Sequence, residues 1–283
     1  MTSHSRYRRT GHRTVDGWLE PLAIVGIVAL AQSQSERGIT GSVAEIGVHH
    51  GRLFILLHLL SRPDEVGVAW DLFENQTENI DNSGSGDRAQ FVRNLNRHGC
   101  ATQRIKIVAT NSLDLTPVSA LATTEAKVRL FSVDGGHTAD ITCHDLALAA
   151  AVSCNGGLVI LDDCFNESWP GVSEGVSRYM KTLADAKDQG AQEGIFPFAI
   201  FGNKLLFTTS TEFAALYQET LNRLPGNYFK QYANFYGNRV LSLVPAKPRY
   251  VREYLSRLPV WLAVKNSGFG QWIKYSALNR WFG

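Results

Sequence analysis

Three carboxylates and one imidazole stand directly behind two apolar runs. Asp134-Gly135-Gly136-His137 follows residues 128–133, and Asp162-Asp163 follows residues 157–161. Each run reads as a short buried strand. In open α/β sheets, ligands bind beyond the carboxyl ends of the strands. Two neighbouring strands would then bring Asp134, Asp162, Asp163 and His137 to one crevice. Three hard oxygen donors suit Mg2+ or another hard divalent ion. A histidine three residues after the first carboxylate could act as a general base beside it. A single strand-end Asp also serves as a helix cap or turn former, and His137 could merely cap the helix beginning near residue 139. Two adjacent Asp residues are harder to read that way, because packing them without a cation sets like charges together.

A second constellation lies upstream. Glu45-Ile46-Gly47-Val48-His49-His50-Gly51 joins an apolar run to a strongly apolar helix. Gly47 permits a sharp turn, and Gly51 lets a helix begin close to a ligand. Asp71 closes the next strand about 20 residues after Gly51, the place where an acidic residue binds ribose hydroxyls. The loop lacks the third glycine of a dinucleotide site. Glu45 would repel a pyrophosphate but can accept hydrogen bonds from an ammonium group. The pattern therefore favours S-adenosylmethionine, which carries a sulfonium and an amino-acid head, over NAD.

Taken together, Glu45-Ile46-Gly47-x-x-x-Gly51, Asp71, Asp134-Gly135-Gly136-His137 and Asp162-Asp163 resemble the class I S-adenosylmethionine-dependent methyltransferases. Within them they are most similar to the metal-dependent sugar O-methyltransferases related to the macrocin and mycinamicin enzymes. The likeness covers roughly residues 40 to 210. It implies that Glu45, Gly47 and Asp71 hold the methyl donor, that Asp134, Asp162 and Asp163 ligate Mg2+, and that His137 deprotonates an acceptor hydroxyl. Asn111 and Ser112 follow the third strand, where contacts to the adenine side are expected. With Gly51 and Asp134 they complete the expected donor site. One departure is His49, which stands at the central glycine of the commonest methyltransferase loop.

The elements that must position these residues follow from periodicity and turn chemistry. Strands are expected at 42–47, 66–71, 105–108, 128–133, 157–161, 196–201 and 204–208. Helices are expected within 15–33, with Pro21 marking the true start, and at 52–60, 88–99, 117–124, 139–152 and 171–186. Gly202-Asn203 is a strong hairpin signal. Alternating strands and helices predict a Rossmann-like, doubly wound α/β fold, its sheet mainly parallel with an antiparallel C-terminal hairpin. Three segments are expected: a flexible tail at 1–14, a methyltransferase core at 15–211, and an aromatic-rich extension at 212–283 that lines an acceptor pocket or an oligomer contact. The polar stretch 74–87 reads as a mobile loop and a candidate lid. Trp169, in the loop after the paired Asp residues, could wall the acceptor or staple onto the following helix.

Bulk composition bounds the rest. The 283 residues are 44% hydrophobic and 19% charged, with net charge +2. This is a globular chain with no call for a nucleic-acid partner. No apolar run is long enough to span a bilayer, and the basic start lacks a secretory pattern. Cys100, Cys143, Cys154 and Cys164 show no paired spacing and read as free thiols of a cytoplasmic protein. The partners expected are a small-molecule or saccharide acceptor and further copies of the chain. The competing functions are a catechol-type O-methyltransferase, an NAD-dependent oxidoreductase, and a non-catalytic binding protein on the same fold.

Overall fold

The structure, a computed structural model, describes residues 3–188, 194–226 and 228–245. The chain divides into two compact units, one of residues 1–226 with 230–244 and one of residues 227–229 with 245–283. The first holds the elements discussed below, save residues 228, 229 and 245. Much of the expected aromatic extension, including Tyr250, Trp261 and Trp272, lies outside the described residues.

Five strands form the parallel part of the sheet: β1 (Ser42–Ile46), β2 (Gly67–Asp71), β3 (Ile105–Ala109), β4 (Val128–Val133) and β5 (Ser153–Leu161). They run in the order β3-β2-β1-β4-β5 and pair in parallel throughout. The direction of winding reverses between β1 and β4, which opens a crevice at their carboxyl ends. All residues of β1 and β4 are buried. That explains why these runs are mainly apolar on both faces rather than alternating: helices cover both faces,.

The helices are α1 (Ser3–Arg9), α2 (Pro21–Glu36), α3 (Arg52–Leu59), α4 (Arg88–Arg97), α5 (Pro117–Thr124), α6 (Ala139–Val152), α7 (Pro170–Asp188) and α8 (Thr211–Asn222). Their starts follow local chemistry. Thr116 caps α5 in a reciprocal capping box with Ser119, and Pro117 occupies the first turn,. Asp87 caps α4 by accepting from Gln90 N at 2.6 Å,. Helix α6 packs on α7, β4 and β5, while α2 packs on α8. Trp70 and Phe131 are essentially unexposed, with ring centroids 5.9 Å apart. Burying a large apolar side chain of this kind contributes about 1.5–3 kcal/mol.

At the end of the sheet away from the crevice, Arg129 of β4 is fully buried. Its guanidinium donates to both carboxylate oxygens of Glu65 at 2.8 Å, to Gln34 Oε1 and to Leu60 O. The two-pronged geometry satisfies a charge that burial alone would exclude.

The structure differs from expectation at the start of the chain and beyond the hairpin. The start of the chain is not a bare tail: α1 forms, Tyr7 is buried, and its hydroxyl donates to Arg52 O at 2.7 Å. The first long helix begins at Pro21, as the proline in its first turn led us to expect,. The hairpin β6 (Phe196–Phe201) and β7 (Lys204–Thr208) is antiparallel as expected, but it is not the sheet edge. Strand β7 pairs with β5, while β6 pairs in parallel with β9 (Asn238–Pro245), and β8 (Tyr228–Phe235) lies beyond it in a nine-stranded sheet. The described residues after 211 therefore add to the core: Tyr217 of α8 is fully buried, its hydroxyl donating to Gly156 O. All four cysteines are free. No described helix is long and apolar enough to cross a membrane.

Candidate functional site

The strand ends extend one residue past the ladder and so deliver the carboxylates. Asp134 N donates to Ile46 O, and Asp162 N donates to Val133 O, each at 3.0 Å. Gly47 turns away from β1 with φ 79°, and a Cβ there would overlap the carbonyl oxygen of Asp134. Only glycine permits that approach of loop to strand. The result is a cleft of about 670 Å3 at the switch point, lined by the loops after β1, β2, β3, β4 and β5.

Glu45, Gly47, Asp71, Asn111, Ser112, Asp134, His137, Asp162 and Asp163 all line this cleft. Gly51, expected to contact the donor, does not. It takes φ 90° at the start of α3, and a Cβ there would lie 2.5 Å from the Phe91 ring. Its role is close packing beneath the loop rather than ligand contact. Asp71 holds the loops around it, accepting from His49 N at 2.8 Å and Phe73 N at 2.6 Å. Burial pushes its carboxyl up, and these amides oppose the shift. Asn111 caps the turn after β3 and donates to Glu78 Oε2 at 3.0 Å.

Charge is concentrated on the β1, β4 and β5 side. Glu45 is 2% exposed and its Oε2 has no hydrogen-bond partner. Burial pushes its carboxyl up to about 8, against the lowering effect of the Ser132 hydroxyl and Lys204. Asp134 is raised well above the ordinary carboxylate range by burial and by the neighbouring Asp162,.

Between these carboxylates stands Lys204, a residue that sequence reasoning missed. Its ammonium, 2% exposed, binds Asp162 Oδ2. Burial works against the charge, but Asp162, Asp134 and Glu45 outweigh it and raise the lysine. The signal was present as a lone cation at the head of the apolar strand Lys204-Leu205-Leu206-Phe207. The cause is register: antiparallel pairing of Leu161 with Leu205 sets Lys204 beside Asp162.

His137 is held on both sides. Its Nδ1 lies 3.1 Å from Asp81 Oδ2 and its Nε2 3.2 Å from Asp163 Oδ2, while its backbone N donates to Asp81 at 2.5 Å. Trp169 stacks on the ring, centroids 4.3 Å apart at 15°. Burial lowers the imidazole's affinity for its proton, but Asp163, Asp134 and Asp81 prevail and raise it. Asp163 sits at φ 57° and accepts from Asn166 and Asn203 at 2.9 and 2.6 Å. Despite burial, His137 and these amides hold it down to about 2. Asp81 belongs to the 74–87 loop and was also missed; an acidic residue in a polar loop carries no local signal of its partner.

The donor atoms that could hold a cation come from Asp134, His137 and Asp163, one atom each, all within 4.8 Å of one another. Asp162, expected as a ligand, instead has one oxygen committed to Lys204. Two carboxylates and an imidazole remain a donor set that fits a divalent ion. The cleft, the unpartnered oxygen of Glu45 and the glycine approach at Gly47 likewise fit a donor with an amino-acid head.

Residues 44–164 match the family model described as a methyltransferase domain. No curated protein sequence matches the chain. Among solved structures, the O-methyltransferase NovP aligns with 66% of this chain and 79% of its own, at 15% identity and a TM-score of 0.54. An O-methyltransferase from Bacillus cereus in complex with SAH aligns with 74% of this chain and 90% of its own, at 12% identity and a TM-score of 0.51. These two structures share the fold. The matched segment runs from Ala44 to Cys164 and contains Glu45, Asp71, Asp134, Asp162 and Asp163 but not Lys204 or Trp169. Over residues 44–164 the chain is thus similar to a methyltransferase domain, and its Rossmann-like fold is the one these two O-methyltransferase structures share.

Proposed function

We propose that the protein is an S-adenosylmethionine-dependent O-methyltransferase acting on a hydroxyl of a sugar or glycoside, with His137 as general base and Mg2+ as its metal. The observation that carries the reading is His137 at the cleft wall, bracketed by Asp81 and Asp163 and stacked on Trp169. The sugar acceptor rests on the likeness of the full motif set to the sugar O-methyltransferases.

Glu45 and Asp71 are the residues that would hold the donor's amino-acid head and ribose, with Asn111 and Ser112 toward its adenine. The donor when bound supplies an electrophilic sulfonium methyl. Asp134 and Asp163 would hold the divalent ion, whose contribution is Lewis acidity toward the acceptor hydroxyl. Asp162 supports the site indirectly by keeping Lys204 charged. His137 takes the acceptor proton in its neutral form. Asp81 fixes the tautomer by holding Nδ1–H, which leaves Nε2 as the basic nitrogen once it turns from Asp163. Trp169 fixes the ring plane. Positioning of this kind offsets several kcal/mol of barrier, roughly 7–11 in the best cases. The 74–87 loop would then act as a lid, since Asp81 travels with it.

The test is calorimetric titration with S-adenosylhomocysteine and with NAD, each with and without Mg2+. Binding of S-adenosylhomocysteine alone supports the donor assignment; binding of NAD, or of neither, defeats it. Glycoside and catechol acceptors are then assayed in Mg2+ and in excess chelator. Methylation of catechols but not glycosides would reject the sugar acceptor, and full activity in chelator would reject the metal.

A further inference from the structure

Across the cleft from the acidic cluster lies a second group of donor atoms that the methyl-transfer reading does not use. Asp16, His49 and His50 each offer one ligand atom, and these atoms all lie within 4.8 Å of one another. The two imidazoles are adjacent, with centroids 3.9 Å apart and rings tilted by 35°. His50 Nδ1 stands 3.6 Å from Asp16 Oδ2, too far for a hydrogen bond,. The Nδ1 atoms of both histidines are shielded from solvent, and neither has a hydrogen-bond partner. Two shielded ring nitrogens that approach Asp16 without a well-formed hydrogen bond are an arrangement that a cation would complete,.

The scaffold around them is fixed. Val15 and Leu19 are buried on either side of Asp16. The Arg52 guanidinium donates to Gly17 O, and Tyr7 in turn holds Arg52 O. His49 is tied through its backbone N to Asp71, so its imidazole is the part left free to bind. Trp18 lies over His49 at 5.9 Å. The donor set differs in kind from the carboxylate-rich cluster at Asp134, His137 and Asp163. Two imidazoles and one carboxylate suit zinc and similar borderline ions, with a fourth position left to water.

We propose that Asp16, His49 and His50 form a zinc-type transition-metal site that ties the segment before α2 to the loop after β1. The pair of histidines supplies the nitrogen ligands, and Asp16, 83% exposed at its side chain, closes the site from outside. Because Asp16 and His49 also line the cleft, the ion would sit in its wall.

The untagged full-length protein, stripped with chelator and dialysed, is titrated with Zn2+ by calorimetry and with Co2+ by visible absorption. With excess Mg2+ present to occupy the acidic cluster, the expected result is one Zn2+ bound per chain and intense Co2+ bands of a four-coordinate site. Asp16→Ala and His50→Ala should each weaken Zn2+ binding by at least about tenfold. Asp163→Asn, in the acidic cluster, should leave both signals in place. Asp16→Ala alters an exposed side chain, so it tests the site even where His50→Ala fails to fold. Absence of Zn2+ binding, binding unchanged in Asp16→Ala, or binding lost in Asp163→Asn would each overturn the assignment.

Discussion

Replacing Lys204 by Met tests whether the buried carboxylate cluster depends on its own cation. The variant keeps most of the side-chain volume and removes the ammonium, leaving Glu45, Asp134 and Asp162 buried without it. Removing one partner of a buried ion pair costs about 3–5 kcal/mol, because a charge is left uncompensated. At about 2–4 °C per kcal/mol for a domain of this class, the melting temperature should fall by roughly 6–20 °C in chelator at pH 8. The pH dependence has a definite sign. Glu45 and Asp134 have folded-state pKa values above their unfolded ones, so the folded state holds the extra protons and stability falls as pH rises,. For Glu45 the window runs from its ordinary 4.5 to about 8. Loss of Lys204 removes an influence that lowers both groups, so the penalty is larger at pH 8 than at pH 5. Chemical denaturation at the two pH values measures it. A loss below about 1 kcal/mol at pH 8, the level of an exposed pair, or a larger loss at pH 5, would refute the reasoning. Added Mg2+ should restore more stability to the variant than to the wild type if a divalent ion can take up the freed charge.

Three further expectations follow from particular contacts. His137 is raised by Asp163, Asp134 and Asp81 against the effect of burial, so the free enzyme should gain kcat/KM with rising pH through a midpoint above the ordinary 6.5,. Asp81→Asn should move that limb to lower pH, His137→Ala should lose most turnover while retaining S-adenosylhomocysteine, and a limb indifferent to Asp81→Asn would exclude its role. Gly47→Ala forces a side chain onto φ 79° and onto the Asp134 carbonyl, costing at least ~1–2 kcal/mol,. Donor binding should fall with it, and a variant of wild-type stability and affinity would show that the loop has room to shift. Glu65→Ala strands the buried Arg129 guanidinium far from the cleft, so denaturant unfolding should show a loss of about 3–5 kcal/mol,.

What could be read along the chain was whatever short-range physics encodes. Mainly apolar runs marked β4 and β7 because strands covered on both faces need no polar alternation,. Thr116-Pro117 marked the start of α5 because capping is decided within one turn,. The carboxylates Asp134, Asp162 and Asp163 were legible because a doubly wound sheet places ligands just past its strand ends. What local pattern could not encode was which distant side chain meets which. Lys204 reaches Asp162 across 42 positions only because β7 enters antiparallel beside β5. Asp81 meets His137 across 56 positions because the loop after β2 folds back over the switch point. The strands after α8 escaped notice for a related reason: β8 is largely exposed, so burial imprinted little pattern on it,. Element type and the positions of the carboxylates were determined by the sequence itself, through burial and capping chemistry. The choice of a lysine as partner for one of those carboxylates, and of a loop aspartate for the histidine, was decided only when sheet register brought the pieces together.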